Sequence, residues 1–197
     1  MLLTLAFLLF QPFDYYVLSL SWSPEHCSTA AGKGDSQQCG SGRRFGFVVH
    51  GLWPQYERGY PQNCGPAAPL SQPLVSEMLP IMPSTRLIRH EWEKHGACSG
   101  LPAAEYFQKV RAAFQAVKIP ADYQTPGAPV YVAPAELKKK FLQANTSRTD
   151  RSVAVLCRGR YLQEVRVCFT KDLKPRDCGT DVRDRCKAPE IILRPVR

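Results

Sequence analysis

Two stretches near the start of the chain distribute their apolar residues as β-strands do. In Phe13–Trp22 the apolar side chains recur at every second position and share one face, namely Tyr16, Leu18, Leu20 and Trp22. This alternation predicts a sheet strand. Phe45–Trp53 holds a run of β-forming residues that Gly51 and the following Pro54 interrupt. We therefore expect a buried strand that ends in a loop.

The rest of the chain combines helical periodicity with one further strand pair. Leu74–Met82 predicts a short helix that ends near two prolines. Pro102–Lys118 and Pro134–Ala144 carry apolar residues every three to four positions, which predicts helices that pack on a core. Val153–Cys157 and Tyr161–Phe169 flank a glycine-containing turn and predict a β-hairpin.

The most unusual stretch is Arg89–Cys98, with the sequence RHEWEKHGAC, and we expect it to be helical. Residues four positions apart are neighbours on a helix, so its titratable groups would share one broad face. Trp92 would point to the opposite side, toward a core. The four titratable residues of that face are His90, Glu91, Lys94 and His95.

A zinc site is the nearest alternative for this stretch. Zinc-protease helices place two histidines four residues apart, in the pattern H-E-x-x-H. Here His90 and His95 are five apart, so their rings diverge by roughly 140° on a helix, and Lys94 between them would repel a dication. We therefore expect neither a metal nor another cofactor, and we interpret the stretch as an acid–base site.

A third histidine, His50, lies in a second unusual string, FGFVVHGLWPQ, at Phe45–Gln55. Two histidines that can exchange acid and base roles beside a lysine suit transfer of a phosphoryl group without a metal. The fourth histidine of the chain, His26, is expected to be a surface or loop residue.

The strings FVVHGLWPQ and HEWEKHGAC resemble the two active-site segments of the ribonuclease T2 family, in their usual order. The likeness extends from about Phe13 to the C-terminus. It implies a secreted, bacterial-type, monomeric endoribonuclease that cleaves single-stranded RNA through a 2′,3′-cyclic phosphate, with RNA as its partner. It also implies an α+β fold, in which residues 13–197 form one domain with a central antiparallel β-sheet, flanking helices and disulfide staples.

The resemblance also implies a role for each residue of the two strings. His95 and His50 would be the acid–base pair, with His95 as base and His50 as acid in the first step. His90 would hold the phosphate, and Lys94 would neutralise charge that develops on its non-bridging oxygens. Glu91 would either orient His95 or, if protonated, donate a hydrogen bond to the phosphorane. Its alternative is an ion pair on the helix surface.

Aromatic and amide side chains beside the first string are candidates for binding a base. Trp53 is expected to stack on a base rather than only to fill the core, and Tyr60 and Tyr56 are candidates for the other side of the slot. Gln55 replaces an Asp of some relatives that favour adenine, and Ser21 replaces a base-contacting Gln. Base preference therefore does not follow from the resemblance.

Eight cysteines without a C-x-x-C pair predict disulfides and an oxidising compartment, so we expect a secreted or periplasmic protein. Cys27 and Cys39 bracket a loop rich in Gly, Ser and Gln and are expected to pair with each other. The resemblance implies three further pairs, which are Cys64–Cys98, Cys157–Cys186 and Cys168–Cys178.

Charge and the termini change this picture only slightly. The net charge of +9 favours a polyanionic partner. Met1–Phe10 is almost wholly apolar but too short to span a bilayer. We interpret residues 1–12 as a truncated signal peptide or N-terminal extension, and a first buried strand is the alternative. Asn145-Thr146-Ser147 is a glycosylation sequon.

A binding protein that has kept the fold and lost catalysis is the rival interpretation. Such a protein has no need to retain the two histidine strings intact. All five acid, base and phosphate-holding positions are filled here, which favours the enzyme.

Overall fold

The alternating stretch at the start of the chain forms strand β1, Tyr15–Trp22, in a computed structural model that describes residues 13–196. The interpretation of residues 1–12 lies outside the described residues. The predicted inward face of β1 is confirmed, because each of its four apolar residues is at most 1% exposed. These residues are Tyr16, Leu18, Leu20 and Trp22.

Within the described chain, β1 belongs to a six-stranded sheet. The other strands are β2 (Phe47–Gln55), β3 (Val130–Val132), β4 (Val153–Arg158), β5 (Tyr161–Phe169) and β6 (Ile191–Leu193). Their order is β2-β1-β5-β6-β3, with β4 also paired to β5. Every pairing is antiparallel except the short parallel contact between β5 and β6. The expected α+β fold with a central antiparallel sheet is therefore confirmed, apart from that contact.

Four longer helices pack on the inward face of β1 and bury the main core. The helix predicted at Pro134–Ala144 has those bounds. The one predicted at Leu74–Met82 begins earlier, since Ser71 caps its first turn, and it already ends at Met78. The four helices are α4 (Gln72–Met78), α5 (Thr85–Lys94), α6 (Ala103–Gln115) and α7 (Pro134–Ala144). Three short 3₁₀ turns lie at Gly96–Ser99, Ala121–Tyr123 and Asp150–Ser152.

The expected loop between Cys27 and Cys39 is wrong, because the segment is mostly helical. Helix α1 (Ser23–Cys27) ends where the segment begins, and the segment contains α2 (Ala30–Lys33) and α3 (Ser36–Cys39). The side chain of Thr29 accepts from the backbone N–H of Gly32, and that of Asp35 accepts from Gln38. These caps satisfy backbone donors that composition alone would assign to a loop.

The eight cysteines form four disulfides, and no cysteine is free. The pair Cys64–Cys98 ties the loop after β2 to the short helical turn that follows α5, while Cys168–Cys178 fastens the C-terminal segment to the outer face of the sheet. The other two pairs are Cys27–Cys39 and Cys157–Cys186. These are the pairs expected from the sequence.

The sequon residue Asn145 is buried at the end of α7. Its Nδ2 donates to the carbonyls of Lys118 and Phe141, at 2.8 Å each, and its Oδ1 accepts from the Lys118 N–H at 2.9 Å. The side-chain amide is thus fully used inside the fold, where it joins α7 to the segment after α6.

Residues 13–196 contain no helix with both the length and the apolar character that crossing a bilayer requires.

Candidate active site

His50 is the extra residue of a β-bulge in β2. Opposite it on β1, Ser19 pairs with Gly51 and Leu20 pairs with Val49, so His50 has no partner in the ladder. A bulge bends the strand locally and redirects a side chain. The imidazole remains about one-third exposed, at 34%. The local backbone therefore presents this ring to solvent from an otherwise buried strand.

The second histidine string is only partly helical. Ser84 caps α5 through the N–H of Leu87, and the helix ends at Lys94. His95 follows the helix with φ of −123°, outside the α region. The expectation of a helix through Cys98 is wrong at this point, because the chain turns into the 3₁₀ segment that carries the Cys64–Cys98 disulfide.

Glu91 is buried and lies between the two strings. Its Oε2 accepts a hydrogen bond from Trp53 Nε1 at 2.5 Å, and its Oε1 lies 3.5 Å from His50 Nε2. The alternative of a surface ion pair is wrong, because Glu91 is only 2% exposed. A Cβ on Gly51 would collide with the Glu91 carboxylate and the Trp53 indole. Glycine at that position is therefore required for the contact.

Two residues of β5 complete the site, and sequence reasoning missed both. Glu164 Oε1 lies 2.7 Å from His50 Nδ1, and Arg166 donates two hydrogen bonds to Glu164 Oε2, at 3.0 and 2.9 Å. The Arg166 guanidinium also lies 4.9 Å from the centre of the Trp53 ring. The sequence did contain a signal for them, namely two ionisable residues within a strand of a central sheet. Charges are rarely buried without a functional or structural partner.

One pocket of about 470 Å³ gathers the predicted residues. Trp53 lies between the two histidine rings, with ring centres 5.2 Å from His50 and 5.4 Å from His95. The Tyr60 ring is 5.7 Å from His95 and 46% exposed. Tyr56, the other candidate for the base slot, packs against the main core instead and does not line this pocket. The other eight predicted acid–base, phosphate-holding and base-contacting residues line it, and these are His50, Trp53, Gln55, Tyr60, His90, Glu91, Lys94 and His95.

The two histidines of the pocket have opposite electrostatic environments. Burial and the charges of Lys94 and His90 lower the pKa of His95 to about 4. Burial also opposes a charge on His50, but the hydrogen bond and charge of Glu164, with the charge of Glu91, outweigh it and raise the His50 pKa. Near neutral pH the structure therefore holds a neutral imidazole beside a ring that favours its proton.

The carboxylates of the site differ in the same way. Burial raises the pKa of Glu91 above its ordinary value, although the His50 charge and the Trp53 hydrogen bond oppose this. Burial also acts on Glu164, but the hydrogen bond and charge of His50 and the charge of Arg166 prevail and lower its pKa to about 2. Glu164 is thus ionised throughout the range in which the histidines titrate.

Lys94 contributes a positive charge that the fold does not neutralise. Among the described residues, no carboxylate lies within ion-pair distance of its ammonium group. Its backbone carbonyl accepts from the N–H of Asn63, which joins the end of α5 to the loop after β2. The ammonium is therefore available to an anion in the pocket.

A second pocket, of about 300 Å³, opens on the other side of His50 and His90. His26 lines it from helix α1 rather than from a loop, and it is half-buried instead of fully exposed. Burial lowers the pKa of His26. Ser21 of β1 and Arg86 of α5 also line this pocket.

A model of the ribonuclease T2 family matches residues 13–178. The chain belongs to the ribonuclease T2 family. The match covers most of the chain and includes both histidine strings. A ribonuclease of Aeromonas hydrophila is 37% identical over 192 residues, which cover 94% of this chain and 87% of that protein. A probable ribonuclease of Haemophilus influenzae is 42% identical over 122 residues, 55% of this chain and 45% of that protein.

Solved structures carry the same fold. An RNase-related protein from Calystegia sepium has a TM-score of 0.76 at 21% identity and covers 95% of this chain and 100% of its own. Ribonuclease MC1 from bitter gourd seeds has a TM-score of 0.69 at 26% identity, covering 91% and 99%. The family match and the Aeromonas hydrophila relative, rather than the shared fold, show that this ribonuclease T2 protein is an RNA-cleaving enzyme, and the rival of a binding protein without catalysis is set aside.

Proposed function

We propose that this ribonuclease T2 protein cleaves single-stranded RNA by metal-independent transesterification through a 2′,3′-cyclic phosphate. The observation that carries the proposal is one pocket in which two histidines of opposite proton affinity flank an unpaired lysine. DNA lacks the ribose 2′-hydroxyl and would not react by this route.

In the first step, His95 accepts the proton of the ribose 2′-OH while that oxygen forms a bond to the adjacent phosphorus. The bond from phosphorus to the 5′-oxygen breaks, and His50 gives its proton to that leaving oxygen. The products are a 2′,3′-cyclic phosphate and a free 5′-hydroxyl. Water then opens the cyclic phosphate with the two roles reversed.

The electrostatics of the pocket support these roles. A base must start neutral, and His95 is buried beside cations that disfavour its protonation. An acid must start protonated, and His50 lies between Glu164 and Glu91, which favour the charged ring. In the proposal, Lys94 and His90 hold the phosphate, and Glu91 donates a hydrogen bond to the phosphorane when it is protonated.

The two pockets support a path for the RNA on both sides of the scissile phosphate. Both are bordered by His50 and His90. We propose that one base enters the larger pocket and contacts Trp53, Gln55 and Tyr60, while the next base lies against the smaller one. Stacking on an aromatic ring is tolerant of base identity.

The disulfides of the enzyme bear on the compartment in which it works. Four disulfides among the described residues indicate an oxidising compartment. We propose that the protein is secreted or periplasmic, that residues 13–197 act as one domain, and that it works as a monomer. Light scattering of the purified protein and mass analysis of its mature N-terminus would test these points.

The mechanism is tested with a short RNA incubated with the oxidised protein in EDTA near pH 6. A second oligomer carries one 2′-deoxy linkage, and the products are resolved by mass. We expect cyclic-phosphate ends at every susceptible linkage except the deoxy one. Cleavage at the deoxy linkage, or loss of activity in EDTA, contradicts the proposal.

Variants of the two histidines provide the matched controls. His50→Ala and His95→Ala should each remove the activity, whereas His26→Ala should retain cyclic-phosphate formation because His26 has no part in the proton transfers. If His95→Ala cleaves at the wild-type rate, the assigned base is wrong.

A further inference from the structure

Glu164 is a buried carboxylate at the centre of the sheet that the proposed proton transfers do not use. Only 3% of the residue is exposed. It pairs with Ser21 of β1 and Leu156 of β4, so strands flank it on both sides. A carboxylate is seldom placed there unless its charge is fully partnered.

Both oxygens of Glu164 are occupied. Oε1 lies 2.7 Å from His50 Nδ1, and Oε2 accepts from two nitrogens of Arg166. Arg166 lies two residues along β5, on the same face of the strand as Glu164. An ionised carboxylate has no donor, so the contact with His50 requires the proton to be on Nδ1. The other nitrogen, Nε2, then faces Glu91 and the pocket.

Resting on the proposed function, we propose that Glu164 is the positioning residue of His50 and that Arg166 holds it in place. The carboxylate fixes the ring by its Nδ1–H and directs Nε2 toward the leaving oxygen. Glu164 itself exchanges no proton. The proton that leaves in the reaction is the one on Nε2, and the Nδ1 proton stays in its hydrogen bond throughout.

Arg166 also links this unit to the base pocket. Its guanidinium lies 4.9 Å from the centre of the Trp53 ring while its nitrogens bond to Glu164. Arg166 therefore supports both the Trp53 ring, which is proposed to contact a base, and the Glu164 carboxylate, which orients His50. Arg166 lies on β5, a strand of the same sheet, rather than on a loop, which suits a group that must stay in register with its histidine.

Other charged groups also face His50, and each of them either favours or disfavours a positive charge on its ring. From α5, Glu91 favours the charged ring, whereas Arg166 of β5 disfavours it. His26 of α1 and His95 after α5 also interact electrostatically with His50 and disfavour a second positive charge. Of these groups, only Glu164 is hydrogen-bonded directly to the ring, so removing it should change the pKa of His50 most.

The test compares kcat/KM against pH for cleavage of a dinucleoside phosphate by the wild type and by Glu164→Gln. Because His50 must be protonated to act as acid, its pKa sets the alkaline limb of the curve. Removing the carboxylate should move that limb toward acid by about 1 pH unit or more. A misplaced ring should also lower the maximum about a hundredfold.

Two further variants separate positioning from a merely structural role. Glu164→Asp keeps the charge and should leave the alkaline limb near its wild-type position, with a reduced maximum. Glu25→Gln removes another buried carboxylate that is bonded to arginines, Arg158 and Arg194, and should not move the limb. If Glu164→Gln loses activity with its alkaline limb unchanged, the carboxylate only stabilises the fold and the inference is overturned.

A measurement on the wild-type protein decides the case even if Glu164→Gln does not fold. In ¹⁵N-histidine spectra above its pKa, His50 should carry its proton on Nδ1, and a proton on Nε2 overturns the inference. The proposed function fails separately, if the wild type does not cleave RNA in EDTA or if His50→Ala is as active as the wild type.

Discussion

Gly51→Ala tests whether the contact between Trp53 and Glu91 supports catalysis. The added Cβ would clash with both Trp53 Nε1 and Glu91 Oε2, because each atom lies far inside the 3.4 Å of an ordinary contact. Each group would have to retreat by about 1 Å, which breaks their hydrogen bond and moves Glu91 relative to His50. A misplacement of this size typically costs about a hundredfold in rate, and overpacking costs about 1–3 kcal/mol in stability.

The assay is kcat/KM on a dinucleoside phosphate together with the melting temperature. For a chain of this size, each kcal/mol should lower the melting temperature by about 2–4 °C. Gly127→Ala is the matched control, since its new methyl meets no atom within 4 Å and its φ is not in the left-handed region. It should leave activity unchanged. If Gly51→Ala is folded and cleaves within about threefold of the wild-type rate, the steric reasoning behind the hundredfold estimate is refuted.

Three further predictions concern pH, the sequon and one disulfide. The curve of kcat/KM against pH should be bell-shaped, with an acid limb near the His95 pKa of about 4 and an alkaline limb above 6.5 from His50; a single limb would contradict the two-histidine assignment. Asn145→Ala removes three hydrogen bonds to backbone groups, one of them buried and two part-buried, so unfolding in urea should show a loss of about 2–3 kcal/mol, and an unchanged midpoint would refute this. Replacing both Cys64 and Cys98 by Ala opens a loop of 34 residues; chain entropy predicts a loss of about 3.8 kcal/mol, and a loss below about 1 kcal/mol would exclude that account.

Local pattern predicted most of the secondary structure because the main core is simple. The apolar alternation predicted β1 because one face of the strand packs against the core formed with four helices. The bounds of α7 were predicted because the helix begins at Pro134 and ends at the buried Asn145. The segment between Cys27 and Cys39 failed because its helices depend on two side-chain caps and a disulfide rather than on apolar periodicity.

The site was predictable only where its residues are neighbours in sequence. The two histidine strings supplied seven of the eight predicted lining residues of the pocket, and the eighth, Tyr60, follows shortly after the first string. Glu164 was not found because it lies 114 residues from His50 in the chain. Glu164 and Arg166 lie two residues apart on one face of β5, but that spacing does not show which distant side chain they meet.

The position of Trp53 gives this enzyme an optical reporter of its own active site. The other two tryptophans, Trp22 and Trp92, are at most 4% exposed and lie in the core. Trp53 alone lies between His50 and His95, within 5.4 Å of each ring centre. A protonated imidazole quenches indole emission by accepting an electron from the excited ring. Tryptophan fluorescence followed against pH therefore records the charging of the two histidines directly, in the absence of any substrate.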